Sequence, residues 1–231
     1  MKTGIQPVRS CLAALSIFGA VASSGAATFT VDPGATWLGF MNVFELPSNG
    51  GAYVFGSSWG TADLQANFSG PILTLSPNTI NDPSTFWYQG GGGPGAPGNK
   101  TMDANFYQQF DGTLAGQTVT FTGIVLDNSL TSAHTSVAFI KDFAPDFSSS
   151  VTTTVPLTPG SFSISLTAIN DPARHIQFGF ETIGVNVWST DVGPFGQVDI
   201  TAVPEPASAA VLFGGIACLM GARRNKTGGR K

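Results

Sequence analysis

Aromatic side chains set beside amides, hydroxyls and carboxylates are the groups of this chain best suited to chemistry. Trp87-Tyr88-Gln89 stands directly before a glycine-rich run, Gly90 to Asn99, and Trp59 stands among Ser57, Ser58, Gly60 and Asp63. Such groupings suit glycan recognition: an aromatic face packs on the apolar C–H face of a sugar ring, and nearby polar groups fix the hydroxyls. Trp59, Trp87 and Tyr88 are therefore a candidate glycan platform. Tryptophan is also highly buried on average, so these residues equally suit a core. Trp188, flanked by Val185 and Val187, reads as core.

Catalytic chemistry finds little to work with. The two histidines, His134 and His175, read as ordinary strand-edge residues, and the two cysteines, Cys11 and Cys218, fall near the ends of the chain. The intervening body folds without disulfides and offers no thiol nucleophile or thiolate zinc ligand. Glycoside hydrolysis needs two carboxylates at a set separation across the scissile bond. Glu45 and Glu181 are the glutamates of the body and aspartates are numerous, yet no local motif selects a pair, so the expectation is a protein that is not an enzyme. Gly93 to Thr101 superficially resembles a phosphate-binding loop, but Asn99 separates Gly98 from Lys100 and no helical pattern follows. Aspartate-rich turns suit a structural calcium ion, which takes hard oxygen ligands. Asp32 near the first strand and Asp199 in the last would meet if those strands paired; Asp142 with Asp146, or Asp127 with Asn128, are loop alternatives.

Charge narrows the partners. Between Thr28 and Val203 stand three basic residues (Lys100, Lys141, Arg174) and thirteen acids, a net charge of −10. Nucleic acid and anionic lipid need basic clusters, so neither is a partner for this body. Calcium, neutral glycans or plain extracellular solubility remain compatible.

The elements that must position these side chains are strands. Ser161 to Thr167 alternates without a fault, with Phe162, Ile164 and Leu166 on one face and hydroxyl residues on the other. Val119, Phe121 and Val125 share a face of the Gln117 to Asp127 run, as do Val137 and Phe139 in the next run and Ile176, Phe178 and Phe180 after His175. This is the period of half-buried strands. Asn, Asp, Gly and Pro clusters separate them: Pro47 to Gly51, Ser76 to Pro83, Gly90 to Asn99, Thr158 to Gly160, Asn170 to Pro172 and Val192 to Gly196. The spacing implies an all-β antiparallel sandwich without a long amphipathic helix. The glycine run is expected to be flexible.

Both ends carry signals of a different kind. Met1 to Ala27 has a basic start (Lys2, Arg9), an apolar run from Cys11 to Ala22 and small residues through Ala27. That is the layout of a secretory signal peptide removed by signal peptidase after Ala26 or Ala27. At the other end come Pro204-Glu205-Pro206, an uncharged stretch from Ala207 to Ala222, and a tail with Arg223, Arg224, Lys226, Arg230 and Lys231. Sixteen uncharged residues at about 1.5 Å each span roughly 24 Å, a marginal fit to a hydrocarbon core of about 30 Å. The basic flank holds the tail in the cytoplasm and turns the body outward. The two prolines leave an extended segment around Glu205 for a protease to grip.

That order of motif, apolar segment and basic tail resembles the PEP-CTERM sorting signal of Gram-negative bacteria, over Val203 to about Arg224. The resemblance implies processing by the membrane protease exosortase near Pro204-Glu205-Pro206, with Arg223 and Arg224 as the membrane stop. It also implies transfer to a surface acceptor in species that make exopolysaccharide. Gly98 to Asn105 through Leu114 to Gly123 resembles a jelly-roll domain of the broad carbohydrate-binding-module type. The organisation expected is therefore a signal peptide at 1–27, a jelly-roll β-sandwich at 28–202 and a sorting signal at 203–231. The motif lies at 204–206, the membrane segment at 207–222 and the basic tail at 223–231. The function this implies is an exported protein, transiently membrane-anchored and then at the cell surface or in the extracellular matrix, bound to exopolysaccharide. A self-associating matrix protein, and a glycan-active hydrolase or lyase, are the alternatives.

Overall fold

The alternation of Ser161 to Thr167 is realised in full: Phe162 and Ile164 are buried while Ser161, Ser163, Ser165 and Thr167 face solvent. The computed structural model describes residues 25–204. The apolar N-terminal run, Glu205, Pro206, the proposed membrane segment, Arg223 and Arg224 lie outside the described residues. Twelve strands follow one another: β1 (Ala26–Thr30), β2 (Leu38–Glu45), β3 (Tyr53–Ser58), β4 (Ala66–Ser69), β5 (Ile72–Leu75), β6 (Lys100–Asp111), β7 (Thr118–Asn128), β8 (His134–Phe143), β9 (Ser150–Pro156), β10 (Gly160–Thr167), β11 (His175–Val185) and β12 (Val198–Thr201). Two short 3-10 turns, Pro47–Asn49 and Gly193–Phe195, are the helical segments among the described residues, and none is long and apolar enough to cross a membrane.

The strands form two six-stranded sheets. In the first, β10 lines one edge of β7, while β1 and β12 lie end to end along its other edge, followed by β5 and β4. The second runs β3-β2-β6-β11-β8-β9. The expectation of an antiparallel sandwich holds for every ladder but one: β1 pairs parallel with β7, Ala26 opposite Thr118 through Thr30 opposite Thr122. A parallel partner needs a long connection, and β2 to β6, which include three of the second sheet's six strands, lie between β1 and β7 in the chain. Ala26 and Ala27 occupy the first two rungs of that ladder, so the expected mature start at Ala27 or Thr28 would remove part of β1.

One core lies between the sheets. Phe121, Val119 and Val125 of β7, Leu73 and Leu75 of β5, and Val198 and Ile200 of β12 meet Met102, Ala104 and Phe106 of β6, Ile176, Phe178 and Phe180 of β11, and Ala138 and Ile140 of β8. Each fully buried phenylalanine contributes about 1.5–3 kcal/mol by leaving water. Trp37 belongs here too, stacked on Phe106 at 4.5 Å and 5°. An ion pair is buried against this core. Asp142, with no exposed surface, accepts from Arg174 Nε at 2.7 Å and from the Ile169 backbone N–H at 2.8 Å.

Val137 and Phe139 do share a face, as their spacing implies, but it is the outer face of the second sheet. The core-facing residues of β8 are Ala138 and Ile140, which pair with Phe180 and Phe178. Phe139 has no exposed surface even so, and Lys141 Nζ lies over its ring at 4.2 Å.

Candidate functional site

Alternation on β6 decides where the site lies. Met102, Ala104 and Phe106 point into the core, which turns Asp103, Asn105, Tyr107 and Gln109 to the outer face of the second sheet. Their partners on β11 are Glu181 opposite Asn105, Gly179 opposite Tyr107 and Gln177 opposite Gln109. Lys141 of β8 continues the row beyond Gln177, and Asn42 and Phe40 of β2 stand opposite Asp103 and Asn105. A polar row on an outer face ordinarily faces open water. Here Asn42, Asn105, Tyr107, Gln109, Lys141 and Gln177 line a groove of about 440 Å³, walled by Phe40, Ser58, Phe143 and Phe147, with Asp103 and Glu181 on the same face beside it.

The groove is built rather than incidental. Asn105 is 6 % exposed and Tyr107 and Gln177 8 % each, although all three stand on the solvent side of the sheet. Gly179 lets β11 lie close against β6: a Cβ there would collide with the carbonyl oxygen of Phe106. The buried amides are tied together, as buried polar groups must be. Gln177 Nε2 donates to Gln109 Oε1 at 2.8 Å, and Gln109 Nε2 to Asp111 Oδ1 at 2.9 Å. Asn105 Nδ2 donates to Asp103 Oδ1 at 2.8 Å, and Asn42 Nδ2 to Asp103 Oδ2 at 3.1 Å. Lys141 Nζ donates to Asn105 Oδ1 at 2.8 Å and to Glu181 Oε2 at 2.6 Å.

Electrostatics separate the two carboxylates. Burial, then the nearby Glu181 charge, push Asp103 up to about 6, against weaker help from Lys141 and the two amides. Only amides reach Asp103 within hydrogen-bonding distance, whereas Glu181 holds the lysine directly. Burial also raises the Tyr107 phenol. Two carboxylates bonded behind the lining residues, against the one ammonium in the lining, leave the groove's surroundings slightly negative at neutral pH, which opposes an acidic ligand and admits a neutral one.

The residues expected from sequence are dispersed. Tyr88 has no exposed surface and offers no face to a sugar. Its hydroxyl lies 2.5 Å from the Ile80 carbonyl and 3.0 Å from that of Val187, and its ring meets Trp188 edge-on at 5.3 Å. Burial raises its phenol as well. Trp87 is half-buried against the core, edge-to-face with Phe86 and Phe55. Trp59 lines a separate, open concavity with Asp63, Gln65, Asn81 and Asp82, which contains neither Trp87 nor Tyr88. The three do not form one platform. Ser58 lines both that concavity and the groove, so Trp59 stands at the groove's far end.

No family model, curated protein or solved structure matches this chain.

The calcium candidates are also apart. β1 and β12 do not pair with each other but both pair with β7, and Asp199 stands opposite Asp127 and Thr74. Asp32 Oδ1 caps the turn at Gly34 N, while Asp199 accepts from Thr74 and Gln197. Asp142 is committed to Arg174 and Asp146 to Ser148, and Asn128 to Leu157 and Leu130. Among the described residues no group of three or more His, Cys, Asp or Glu converges on a metal position. His134 is buried, with Nε2 on the Val185 carbonyl at 2.9 Å, and desolvation lowers its pKa. The glycine run expected to be flexible is pinned: Gly95 N donates to Asp191 at 2.6 Å, Gly92 N to Pro83 O at 2.8 Å and Gln89 N to Pro97 O at 2.9 Å.

Sequence reasoning missed the groove because each of its residues is ordinary alone. The available signal was polar alternation, Asp103, Asn105, Tyr107 and Gln109 at every second position, facing Gln177 and Glu181 in another strand.

Proposed function

We propose that the chain is an exported surface or matrix protein, sorted by exosortase, whose jelly-roll body binds exopolysaccharide without cleaving it. Sorting rests on the order of Pro204-Glu205-Pro206, the uncharged Ala207 to Ala222 and the basic residues from Arg223 and Arg224 onward. Glycan binding rests on one observation above the others: a row of buried, mutually bonded amides floors a groove with aromatic walls on the solvent side of a sheet. Amides and carboxylates offer paired donors and acceptors to sugar hydroxyls, and Phe40, Tyr107, Phe143 and Phe147 supply apolar surface for ring faces. From β8 to β3 the sheet spans four inter-strand steps of about 4.8 Å, close to 19 Å, so an extended chain of several sugars would lie across the strands.

Pull-down of the released protein with the exopolysaccharide of its own producing cells tests this reading. Asn105→Ala and Gln177→Ala should each weaken retention about tenfold or more, whereas Trp87→Ala should leave it unchanged; retention unaffected by the first two variants refutes the groove as the site.

Two observations keep the alternatives in view. Asp103 and Glu181 are diagonal neighbours on one face, and a carboxyl raised to about 6 beside a second carboxylate is the arrangement of an acid and a base. Release of new reducing ends from the polysaccharide, lost in Asp103→Asn, would establish hydrolysis. Self-association is favoured by the edge strands β9 and β10, which carry no charged residue from Phe147 to Asn170. Uncharged edges are open to pairing with a second copy, and concentration-dependent oligomers indifferent to added glycan would establish that reading.

A further inference from the structure

The groove ends at an aromatic residue held in an unfavourable conformation. Phe147 has a φ of 58°, the left-handed region that bulky side chains rarely occupy, and its ring remains 48 % exposed at the groove wall. A local turn holds the backbone: Phe147 N donates to Ala144 O at 2.9 Å, and Ala144 N to Ser149 O at 2.9 Å. Asp146 accepts from the Ser148 backbone and hydroxyl at 3.1 and 2.7 Å. Strain of this kind persists only where the surroundings over-determine it.

What sets the ring is His175. The two rings stack at 4.3 Å and 9°, so the imidazole covers one face of Phe147; Phe143 packs tilted against it at 5.6 Å, and the remaining 48 % of the residue's surface is exposed. Both imidazole nitrogens face acceptors: Nδ1 meets Asp111 Oδ1 at 2.7 Å and Nε2 meets the Pro145 carbonyl at 3.3 Å. A neutral imidazole carries one N–H and can serve only one of them; the imidazolium serves both. A positive imidazolium is also the form attracted to an aromatic face. The bond from His175 holds the Asp111 carboxyl below its ordinary range, as an acceptor paired with a cation.

We propose that Phe147 is the ring-stacking, specificity-determining residue of the groove and that His175 is its positioning residue, acting while its imidazole is doubly protonated. This rests on the groove being the glycan site. The ligand is a neutral sugar chain presenting an unsubstituted C–H ring face to Phe147, with its hydroxyls over Gln177 and Asn105. Loss of the His175 proton removes one of the two N–H donors. The longer contact, to Pro145 in the loop that carries Phe147, is the one released. Binding is therefore stronger with the imidazolium than with the neutral imidazole.

The charged groups around His175 are few. Asp111 on β6 is its direct partner, and Asp146 lies in the turn it contacts. Lys141 on β8 stands one row away, opposite Gln177 and engaged with Glu181. Arg174, its chain neighbour, is turned into the core on Asp142. Asp103, raised to about 6, also changes charge within the pH range of the test but lies eight residues from Asp111 along β6, about 27 Å at 3.4 Å per residue.

The test uses the full chain expressed in its producing cells, with that polysaccharide and a panel of neutral glucose, mannose and galactose hexasaccharides as probes, between pH 5 and 8. Phe147→Ala should lose about tenfold in affinity at pH 5.5, worth about 1.4 kcal/mol, with an unchanged circular dichroism spectrum, and Phe147→Trp should restore it. Wild-type affinity should fall several-fold toward pH 8. His175→Gln should flatten that profile, and Asp103→Asn should leave its His175-dependent part in place. In the absence of any ligand, the amide resonances of Phe147 and Ser148 should move with the same midpoint as the His175 ring. Full affinity in Phe147→Ala, an unaltered profile in His175→Gln, or amide shifts that ignore the His175 midpoint would each overturn the proposal. Loss of binding in Asn105→Ala together with full binding in Phe147→Ala would sink this inference while leaving the groove reading standing; full binding in both would sink the two together.

Discussion

Replacement of Asp103 by asparagine should make the protein more stable at neutral pH and less able to bind its ligand. Asp103 is half-buried on the groove side of β6, and burial with the Glu181 charge raises it from 3.8 to about 6. The unfolded carboxyl titrates near 3.9. Between these values the folded chain holds a proton that the unfolded chain has released, so this residue's contribution to stability falls as pH rises from about 4 to 6 and stays low above it. At about 1.4 kcal/mol per pH unit, the change between pH 4 and pH 7 is on the order of 2 kcal/mol. Asparagine has no such term. It does lose one acceptor oxygen, so either Asn42 or Asn105 must turn its amide, a cost of about 1 kcal/mol at both pH values.

The assay is urea unfolding of wild type and Asp103→Asn at pH 4, 5, 6 and 7. The stability difference, variant minus wild type, should start slightly negative at pH 4 and rise by about 2 kcal/mol by pH 7. In thermal scans that is about 4–8 °C for a domain of this size. Carboxylates remote from Asp103 are common to both proteins and cancel in the difference; Glu181, whose charge acts on Asp103, does not cancel fully. A difference that stays flat from pH 4 to pH 7 refutes the claim that a charged carboxylate is held beside the groove amides at a cost. A residue that costs stability and is nonetheless kept is expected at a functional site.

Other perturbations test other parts of the account. Arg174→Met leaves Asp142 as an unpaired buried charge and should cost about 3–5 kcal/mol in urea unfolding, more than the double variant Arg174→Met with Asp142→Leu. Tyr88→Phe leaves the Ile80 and Val187 carbonyls without their phenol donor and should cost about 1–3 kcal/mol while glycan retention is unchanged, as befits a structural pin. Terminal mapping of the exported protein should find a start at or before Gly25, with β1 whole, since Thr118 N donates to Gly25 O at 3.0 Å; a start at Thr28 would contradict the pairing of β1. Replacement of Glu205 should leave uncleaved precursor in the membrane, and normal release of that variant would contradict sorting through the Pro204-Glu205-Pro206 motif.

Local pattern carried the strands, and long-range pairing did not follow from it. β10 and β11 were legible because alternation of phenylalanine or isoleucine with small polar residues has no other physical outcome than a half-buried strand. Which face is inner was not legible for β8. Val137 and Phe139 are as apolar as Ala138 and Ile140, and only pairing with Phe178 and Phe180 turns the latter inward. The parallel pairing of β1 is likewise invisible in five residues whose partner lies about ninety residues away. The site failed for a different reason. Trp87 and Tyr88 were chosen by residue type, yet exposure is a property of neighbours: Tyr88 is sealed by carbonyls 8 and 99 residues distant. Asn105, Gln177 and Lys141 have no motif, because their chemistry exists only once three strands are in register. Phe147 was hidden in a serine-rich turn, and its left-handed backbone leaves no trace in residue type.

The most direct test of the central claim is chemical-shift mapping of the labelled protein titrated with fragments of its producer's exopolysaccharide. The expected result is saturable movement concentrated on the side-chain amides of Asn105, Gln109 and Gln177 and on the backbone around Phe147, with Trp87 and Tyr88 unmoved. Movement confined to the β9 and β10 edges or to the glycine loop, with the groove amides silent, would contradict it.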